Sequence, residues 1–338
     1  MSMIHLQKLI KKALSLNNWF VFYSAIALVV GSSAITRLIE PETFPTFFEA
    51  LWWVMTTVTT VGYGDYSPVT TGGRVFAIIL YMIGIGYISL VIGKIIEGFS
   101  AVKKRREEGR MEYKGKNHII IIGWSKKASF AVKEIMETEN NREIVIIDKL
   151  EKAPLLTEDI HYIKGDAAEE KTLLKANIKE AEAVLIFSDD SIHDALLADG
   201  KSLLICTTIE SMVPEIHTTV EVMKEEHIKN FKHVKVDEFV LTHETISRLA
   251  VRSIFSKGIT NVFSQLMSRG HGEDLYEVVA KPHWKTYRQA FDELLQEGAT
   301  LISDGNNLEI NRNLDENISP NARLFVICDR ETYLKIKT

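Results

Sequence analysis

The sequence predicts a protein of two parts: a two-helix membrane domain with a re-entrant loop, followed by a cytosolic α/β domain that ends in a small α+β lobe. Three observations in the 338 residues predict this fold class. Two long apolar runs lie in the first third of the chain. A short apolar helix and a glycine-containing segment lie between them, and strands alternate with helices over residues 118–240.

The two apolar runs, residues 19–36 and 75–93, contain no charged residue. Their lengths are close to the ~20 residues that cross the hydrocarbon core of a bilayer as a helix. A cleaved signal peptide would have a shorter apolar part and a small-residue cleavage site. The runs therefore predict membrane helices over about 19–37 and 72–98.

Basic residues flank the two predicted spans at their outer ends in the sequence. They are Lys8, Lys11, Lys12, Lys94, Lys103, Lys104, Arg105 and Arg106. The positive-inside rule then predicts a multi-pass protein of the cell membrane with both termini in the cytoplasm. The cluster at 103–106 is an orientation signal or, as the alternative, a contact with membrane lipid headgroups.

Between the spans, residues 45–65 predict a short helix followed by irregular backbone. Pro45 suits the first helical position, and the run TFFEALWWVMTTV has room for about three turns. Such a helix is too short to cross a bilayer and return. Irregular backbone at membrane depth is allowed only where protein or a water-filled cavity surrounds it, so the segment predicts a re-entrant pore loop.

The strongest motif of the chain is the run Thr60, Val61, Gly62, Tyr63, Gly64 and Asp65. Glycines permit the backbone angles that turn successive carbonyls toward one axis. Rings of backbone carbonyls can replace the water shell of an alkali cation, and the Thr60 hydroxyl can add a further ring. One chain supplies one loop, so a closed ring requires several copies and predicts a homotetramer.

The stretch TTVTTVGYGD, with LWW in the preceding helix and a membrane helix on each side, resembles the signature sequence of potassium channels. The resemblance implies K⁺ in the filter and selectivity for K⁺ over Na⁺. It also implies an aromatic cuff of Trp52, Trp53 and Tyr63, and a hydrogen bond from Trp52 to Asp65. Membrane-interface anchoring is the alternative role of the two tryptophans. Some relatives pair this aspartate with a glutamate, and Thr56 stands at that position here.

The second predicted span contains two glycines, Gly84 and Gly86, in the run MIGIGYISL. Glycine in a helix interior costs up to ~1 kcal/mol relative to alanine. The resemblance implies a gating hinge at Gly84 that lets the inner helices splay. Close helix packing, for which small residues are common in membranes, is the alternative.

After residue 98 the composition becomes charged, which predicts a linker over 99–117. The alternation of apolar strands and helices then predicts a doubly wound Rossmann-like lobe over 118–240, with buried parallel strands at 119–122 and 144–147. A helical crossover for dimerisation is expected over 241–273, and a small lobe over 274–338. The strand candidates of this lobe are LYEVVA, ATLIS, NLEI and RLFVICD, and its helix lies near YRQAFDELLQE.

The first strand of the Rossmann-like lobe leads into a candidate phosphate-binding turn. Gly123, Ser125 and Ala128 stand where the small residues of a GxGxxG/A loop would be, although the second glycine is missing. Asp148 ends the next strand and could accept hydrogen bonds from ribose hydroxyls. With Asp166, these residues predict a nucleotide site.

Taken with the pore upstream, HIIIIGWS and GDAAEE make this domain similar to the RCK (regulator of K⁺ conductance) domain. The two resemblances cover nearly the whole chain, in the layout of two-helix prokaryotic channels of the MthK type. They imply a ligand-gated K⁺ channel whose ring of RCK domains pulls on the inner helices through the linker. They also imply four extra soluble RCK copies from an internal start, for which Met111 is suitably placed.

In calcium-gated relatives, carboxylates after the fourth strand and on the fifth bind Ca²⁺. The matching positions here are Phe187, Glu221 and Met223, of which only Glu221 keeps its oxygen. Asp189 and Asp190 lie nearby and could rebuild the site, since calcium requires several oxygen ligands. An adenine nucleotide or NAD-type dinucleotide is therefore the expected ligand, and Ca²⁺ stays open as the alternative.

Two other functions are alternatives to a ligand-gated K⁺ channel. A constitutive or non-selective cation channel, in which the RCK domain serves assembly, is the first alternative. An NAD-dependent oxidoreductase is the distant one, because the last lobe has only about 65 residues, a marginal size for a substrate domain. The chain is therefore expected not to be an enzyme. Its net charge of −5 argues against nucleic acid as a partner.

Overall fold

The computed structural model describes residues 17–138, 142–267 and 272–337. The chain divides into two compact units, of which the first ends at Arg105 and the second begins at Arg106. The amino-terminal lysines used to predict orientation, Lys8, Lys11 and Lys12, lie outside the described residues.

The first unit contains three helices: α1 (Asn18–Ile39), α2 (Phe47–Val58) and α3 (Thr71–Glu107). Both α1 and α3 are long and apolar enough to cross a membrane. The first matches the predicted span. The helix α3 extends further than predicted and continues through the first nine residues of the predicted linker. The reason is that the alanine, lysine, arginine and glutamate residues of this charged stretch are strong helix formers.

Helix α2 begins with a capping box. The Thr46 hydroxyl accepts from the amide of Glu49 at 3.3 Å, and the Glu49 carboxylate accepts from the amide of Thr46 at 2.8 Å. Pro45 therefore precedes the cap and does not occupy the first helical position, contrary to the prediction. The apolar face of α2 packs in a buried cluster with Ala77 and Leu80 of α3.

The second unit begins with a six-stranded sheet in the order β3-β2-β1-β4-β5-β6, and every neighbouring pair is parallel. This is the predicted doubly wound topology, whose order reverses between β1 and β4. The strands are β1 (Ile119–Ile122), β2 (Ile144–Asp148), β3 (Ile160–Lys164), β4 (Ala183–Ile186), β5 (His217–Glu221) and β6 (Glu238–Val240). The helices are α4 (Lys126–Thr138), α5 (Glu170–Lys175) and α6 (Ala195–Met212).

Helix α6 begins directly after an aspartate N-cap, Asp194. The side chain of Asp194 accepts from the amides of Leu196 and Leu197, at 2.8 and 3.3 Å. Aspartate at this position satisfies amides that have no partner within the helix, so it fixes the start of α6.

The second half of the predicted linker is bound to the domain that contains this sheet. The amide of Lys164 in β3 donates to the carbonyl of Gly109 at 3.0 Å, and the amide of Asn117 donates to the carbonyl of Glu180 at 2.7 Å. Between them, the amide of Tyr113 donates to the carbonyl of Lys175 at 2.8 Å. Residues 109–117 are therefore part of the domain and not a flexible tether.

Two helices follow the sheet, α7 (Thr242–Phe255) and α8 (Ile259–Leu266), separated at Gly258, where φ is 90°. Within their described residues neither helix contains a buried side chain. Ile254, Phe255 and Val262 are among the apolar residues that they expose. The crossover for dimerisation over 241–273 stays a prediction.

The carboxyl-terminal lobe has an antiparallel sheet in the order β7-β9-β8: β7 (Asp274–Val279), β8 (Thr300–Asp304) and β9 (Arg323–Cys328). Helix α9 (Tyr287–Gln296) is as predicted, and α10 (Arg330–Ile336) was not predicted. The strand predicted at NLEI is wrong. Asp304 and Asn307 close a tight turn there, and a 3-10 turn follows at Ile310–Arg312.

Candidate functional site

The filter loop is held by a carbonyl near the end of helix α2. The amides of Val61 and Gly62 both donate to the carbonyl of Thr56, at 2.9 and 3.1 Å. In a trans peptide the carbonyl lies opposite the amide that follows it, so the carbonyls of Thr60 and Val61 point away from this acceptor. These carbonyls are therefore available to a cation on the far side of the loop.

The filter backbone is left-handed at every second residue, with φ of 62° at Thr60, 55° at Gly62 and 76° at Gly64. Glycine adopts this region freely, whereas at Thr60 it costs of order 1–2 kcal/mol. A Cβ atom on Gly62 or Gly64 would meet no described atom within 4 Å. Backbone conformation therefore explains the two glycines, and crowding within one chain does not.

The Trp52 side chain ties the end of the filter to α2. Its ring stacks on Tyr63 with centroids 5.8 Å apart and an angle of 4° between the planes. Its Nε1 donates to Oδ2 of Asp65 at 2.7 Å, which is the hydrogen bond that the resemblance implied. Trp53 is buried in the core of this unit, 5.4 Å from the ring of Phe44. Within one chain, only Trp52 of the two tryptophans contacts the filter among the described residues.

Thr56, which stands where some relatives have a glutamate, is buried beneath the filter. Its hydroxyl donates to the carbonyl of Trp53 at 3.1 Å, so the side chain is hydrogen-bonded within α2. A carboxylate does lie elsewhere on α2, where Glu49 accepts from the hydroxyl of Tyr66 at 3.2 Å. The support of this filter therefore differs from a paired glutamate and aspartate.

The two glycines of α3 have different surroundings. Gly84 is buried, and a Cβ atom there would lie 3.2 Å from Cγ2 of Val58 at the end of α2. A Cβ atom on Gly86 would meet no described atom within 4 Å. Close packing against α2 therefore favours glycine at 84 and gives no reason for glycine at 86.

A cavity of about 380 Å³ lies at the carboxyl ends of β1, β2 and β4, at the point where the strand order reverses. Ligands of doubly wound sheets bind at this point. Gly123, Asp148 and Asp166 line the cavity, as predicted for a nucleotide site. Ser125 and Ala128 do not line it. The Ser125 hydroxyl instead accepts from the amide of Ala128 at 3.4 Å, at the start of α4.

Gly123 is required where β1 turns into this cavity. Its φ is 87°, and a Cβ atom there would lie 3.1 Å from the carbonyl oxygen of Phe187. Asp148 holds the same turn, because its Oδ2 accepts from the amide of Trp124 at 2.7 Å. Its Oδ1 accepts from the amide of Leu150 at 3.1 Å. Asp148 therefore orders the cavity wall before any ligand binds.

Two lysines line the cavity, each paired with a carboxylate. The Nζ atom of Lys149 lies 2.6 Å from Oδ2 of Asp166, and the Nζ atom of Lys201 lies 2.6 Å from Oδ2 of Asp189. The Lys149 ammonium lowers the pKa of Asp166 below its ordinary value. Burial by itself would raise the pKa of Asp189, but hydrogen bonds from Lys201 and Ser191 lower it to about 2. The two carboxylates are therefore charged at neutral pH.

The calcium candidates are also paired with a lysine. Glu221 is buried, and the Nζ atom of Lys127 lies 3.0 and 2.8 Å from its two carboxylate oxygens. The same ammonium lies 2.8 Å from Oδ1 of Asp190, whereas Asp189 pairs with Lys201. In the described part of the chain, no group of three or more His, Cys, Asp or Glu residues is arranged to hold a metal ion.

Two family models match the chain: one described as ion channel over residues 19–100, and one described as TrkA-N domain over residues 119–242. YugO of Bacillus subtilis, named as a potassium channel, is 33% identical over 66% of this chain and 68% of its own length. TvoK of Thermoplasma volcanium, named as a calcium-gated potassium channel, is 30% identical over 77% of this chain and 76% of its own. The chain belongs to the prokaryotic potassium channels with a TrkA-N (RCK) domain.

A solved structure of the human SLO3 gating ring is also similar to this channel. The match covers 64% of this chain and 46% of that one, at 13% identity and a TM-score of 0.50. At this identity the likeness concerns the fold alone. With two helices that can cross a membrane, the channel is a membrane protein with an RCK domain that has the predicted Rossmann-like topology.

Sequence reasoning missed several charged groups of this channel. Glu40, directly after α1, accepts from the amides of Val69 and Thr70 at 3.0 and 2.7 Å and so joins α1 to the start of α3. The sequence feature that could have identified Glu40 is its position as an acidic residue at the end of an apolar run. Lys149 and Lys201 were also missed. The position of Lys149 next to Asp148 was the one signal for it, whereas the place of Lys201 in the cavity depends on the fold.

Proposed function

We propose that this potassium channel is a homotetramer of the cell membrane, with both termini in the cytoplasm. It conducts K⁺ passively through the carbonyls of residues 60–64 and is gated by a ligand of its RCK domain. The observation that carries the proposal is the filter loop. Its amides at Val61 and Gly62 are bonded to α2, which leaves the opposite carbonyls for a cation.

The proposed ligand is an adenine nucleotide or an NAD-type dinucleotide in the cavity beside Gly123. The position of the cavity at the strand-order reversal and the close approach of backbone at Gly123 both support this. The oxygens of Asp148 each accept one amide, and a carboxylate oxygen has a second lone pair for a ribose hydroxyl. No enzymatic step is proposed for this site.

Calcium is the second candidate, because the relative TvoK is named as calcium-gated. Against it stands Lys127, whose ammonium already neutralises the buried Glu221. A calcium ion at Glu221 would have to displace this ammonium and collect further oxygen ligands.

A coupling route from ligand to gate is proposed through the connection between β2 and β3. Lys149 and Leu150, at the start of this connection, line the cavity. Further along, the amide of Ala153 donates to the carbonyl of Glu107 at 2.7 Å, and Arg106 donates to the carbonyl of Thr157. A ligand that moves this connection therefore acts directly on the last residues of α3.

Full-length protein in liposomes tests the proposed gating. Rubidium uptake is measured with and without ADP, NAD and Ca²⁺, and calorimetry measures the binding of each. We expect a nucleotide to bind and to change uptake, and Asp148→Ala to weaken that binding. Calcium binding abolished by Glu221→Gln, with no nucleotide binding, would favour calcium. Uptake that no ligand changes would indicate a constitutive channel in which the RCK domain serves assembly.

A further inference from the structure

The two lysine–carboxylate pairs that line the cavity lie within electrostatic reach of each other. Lys201 contributes to the lowered pKa of Asp166, and Asp189 contributes to the raised pKa of Lys149. The pairs Lys149–Asp166 and Lys201–Asp189 therefore form one cluster of four charges. The cluster forms part of the cavity wall that a bound ligand would face.

The charges of the cavity do not favour an anion as they stand. Its lining contains four aspartates, Asp148, Asp166, Asp189 and Asp190, but only the two lysines Lys149 and Lys201. A ligand with phosphate groups would meet this excess of negative charge. Each lysine is also engaged at 2.6 Å, so a phosphate must share the ammonium with a carboxylate or displace that carboxylate.

We propose that Asp166 and Asp189 are internal competitors of the ligand phosphates for Lys149 and Lys201, and that they are not ligand contacts. The proposal rests on the proposed function, in which a nucleotide occupies this cavity. In the free protein the two carboxylates pair with the ammonium groups of the lysines. When the ligand binds, its phosphates replace the carboxylates as partners of these ammonium groups. The two lysines therefore bind the phosphates only after they leave their carboxylate partners, so carboxylates of the protein itself limit the affinity for the ligand.

The exposure of the lysines supports this exchange. The side chains of Lys149 and Lys201 are 60% and 32% exposed, and a lysine ammonium on its flexible stem can turn toward a new acceptor. Lys127 contrasts with them. Its partner Glu221 has a side chain that is 4% exposed, and loss of its ammonium would leave a buried charge unpaired. Lys127 is therefore a fixed structural cation, whereas the other two are exchangeable.

Isosteric substitutions test this role. Asp166→Asn and Asp189→Asn should each strengthen ADP binding by about fivefold, the effect of losing one partly exposed ion pair. Adenosine, which has no phosphate, should bind these variants as it binds the wild type. Lys149→Gln and Lys201→Gln should weaken ADP and leave adenosine unchanged. Glu215→Gln is the matched control, since it removes an exposed pair with Lys235 at 2.9 Å outside the cavity.

The experiment is calorimetry of the full-length protein in detergent, titrated with ADP, adenosine and inorganic pyrophosphate at one ionic strength. If Asp166→Asn weakens ADP and adenosine equally, Asp166 is a ligand contact and the proposal is overturned. ADP binding that neither aspartate variant changes also overturns it.

Failure of the nucleotide proposal would look different. If wild type binds none of the three titrants but the double variant Asp166→Asn/Asp189→Asn binds pyrophosphate, the competitor role stands and the nucleotide assignment falls. If the double variant also binds none of the three titrants, both the competitor role and the nucleotide assignment are overturned.

Discussion

The Trp52 indole makes two contacts with the filter, a ring stack on Tyr63 and a hydrogen bond to Asp65. Trp52→Phe keeps an aromatic ring but removes the donor to a carboxylate, an interaction worth about 1.5–3 kcal/mol. We expect the ratio of K⁺ to Na⁺ permeability to fall about tenfold, because the carbonyl positions become less well defined. Bilayer recordings of reversal potential measure this ratio.

Trp19→Phe is the matched control for that substitution. Trp19 is exposed on α1 and stacks on Tyr23, far along the chain from the filter. It should leave the permeability ratio unchanged. An unchanged ratio in Trp52→Phe as well would show that the hydrogen bond does not support the filter.

Substitution of Gly84 tests whether this glycine serves close packing or acts as a hinge. Alanine at 84 would place its Cβ 3.2 Å from Cγ2 of Val58, and such overpacking costs about 1–3 kcal/mol. We expect Gly84→Ala to lower the open probability and Gly86→Ala, which stiffens the helix without a clash, to have little effect. Single-channel recordings measure both variants.

Combining Val58→Ala with Gly84→Ala tests whether the defect of Gly84→Ala comes from packing. Val58→Ala removes the methyl groups that the new Cβ would meet, so Gly84→Ala/Val58→Ala should open nearly as the single Val58→Ala variant does. If the double variant keeps the full defect of Gly84→Ala, the glycine acts as a hinge and not through packing.

At the scale of elements, the connection between β2 and β3 joins the ligand cavity to the end of α3. Arg106→Gln removes the guanidinium that donates to Thr157 in this connection and to Ile160 at the start of β3. We expect ligand affinity to stay within about twofold and the ligand's effect on open probability to be largely lost, since a ligand acts only through contacts that differ between the two states. Calorimetry and recordings on the same preparation measure the two quantities.

Arg105→Gln removes the neighbouring basic charge and should retain the ligand response. A normal response in Arg106→Gln would show that coupling takes another route. Equal loss in both variants would point to the basic cluster as a whole, acting on lipid headgroups.

The elements that the sequence predicted well are those with strong apolar patterns. The charge-free runs marked α1 and the core of α3, and the isoleucine-rich runs marked β1 and β2. The extension of α3 to Glu107 was hidden because a run of lysine, arginine and glutamate is equally typical of a linker and an exposed helix. NLEI has strand composition, but the tight turn at Gly305, where φ is 53°, leaves it no strand to pair with.

The candidate site was predictable where chemistry depends on neighbours in sequence and not where it depends on the fold. The left-handed positions at Gly62 and Gly64 follow from the motif, and the bond from Trp52 to Asp65 was expected from the resemblance alone. Lys201 and Asp189 are brought together by the start of α6 after β4. No pattern in the sequence distinguishes that pair from ordinary surface charges.

For the whole molecule, Met111 is proposed as an internal start that supplies extra soluble RCK copies. Its carbonyl accepts from Nε2 of His161 at 3.1 Å. Tyr113 and Asn117 follow Met111 in the chain, so a copy that begins at Met111 keeps their hydrogen bonds to the domain. Such a copy would have a mass of about 26 kDa. We expect a band of that mass to co-purify with the full chain and to vanish in Met111→Leu, while the full-length band remains. No such band from the unaltered gene would exclude the internal start.

The most direct test of a K⁺-selective pore is the reversal potential of the full-length protein in a planar bilayer, with K⁺ on one side and Na⁺ on the other. The filter geometry, with the carbonyls of Thr60 and Val61 turned away from α2, predicts a reversal potential set by K⁺ and near-absent Na⁺ current. A reversal potential near zero in this bi-ionic condition, reporting equal permeability to the two cations, would contradict a selective filter.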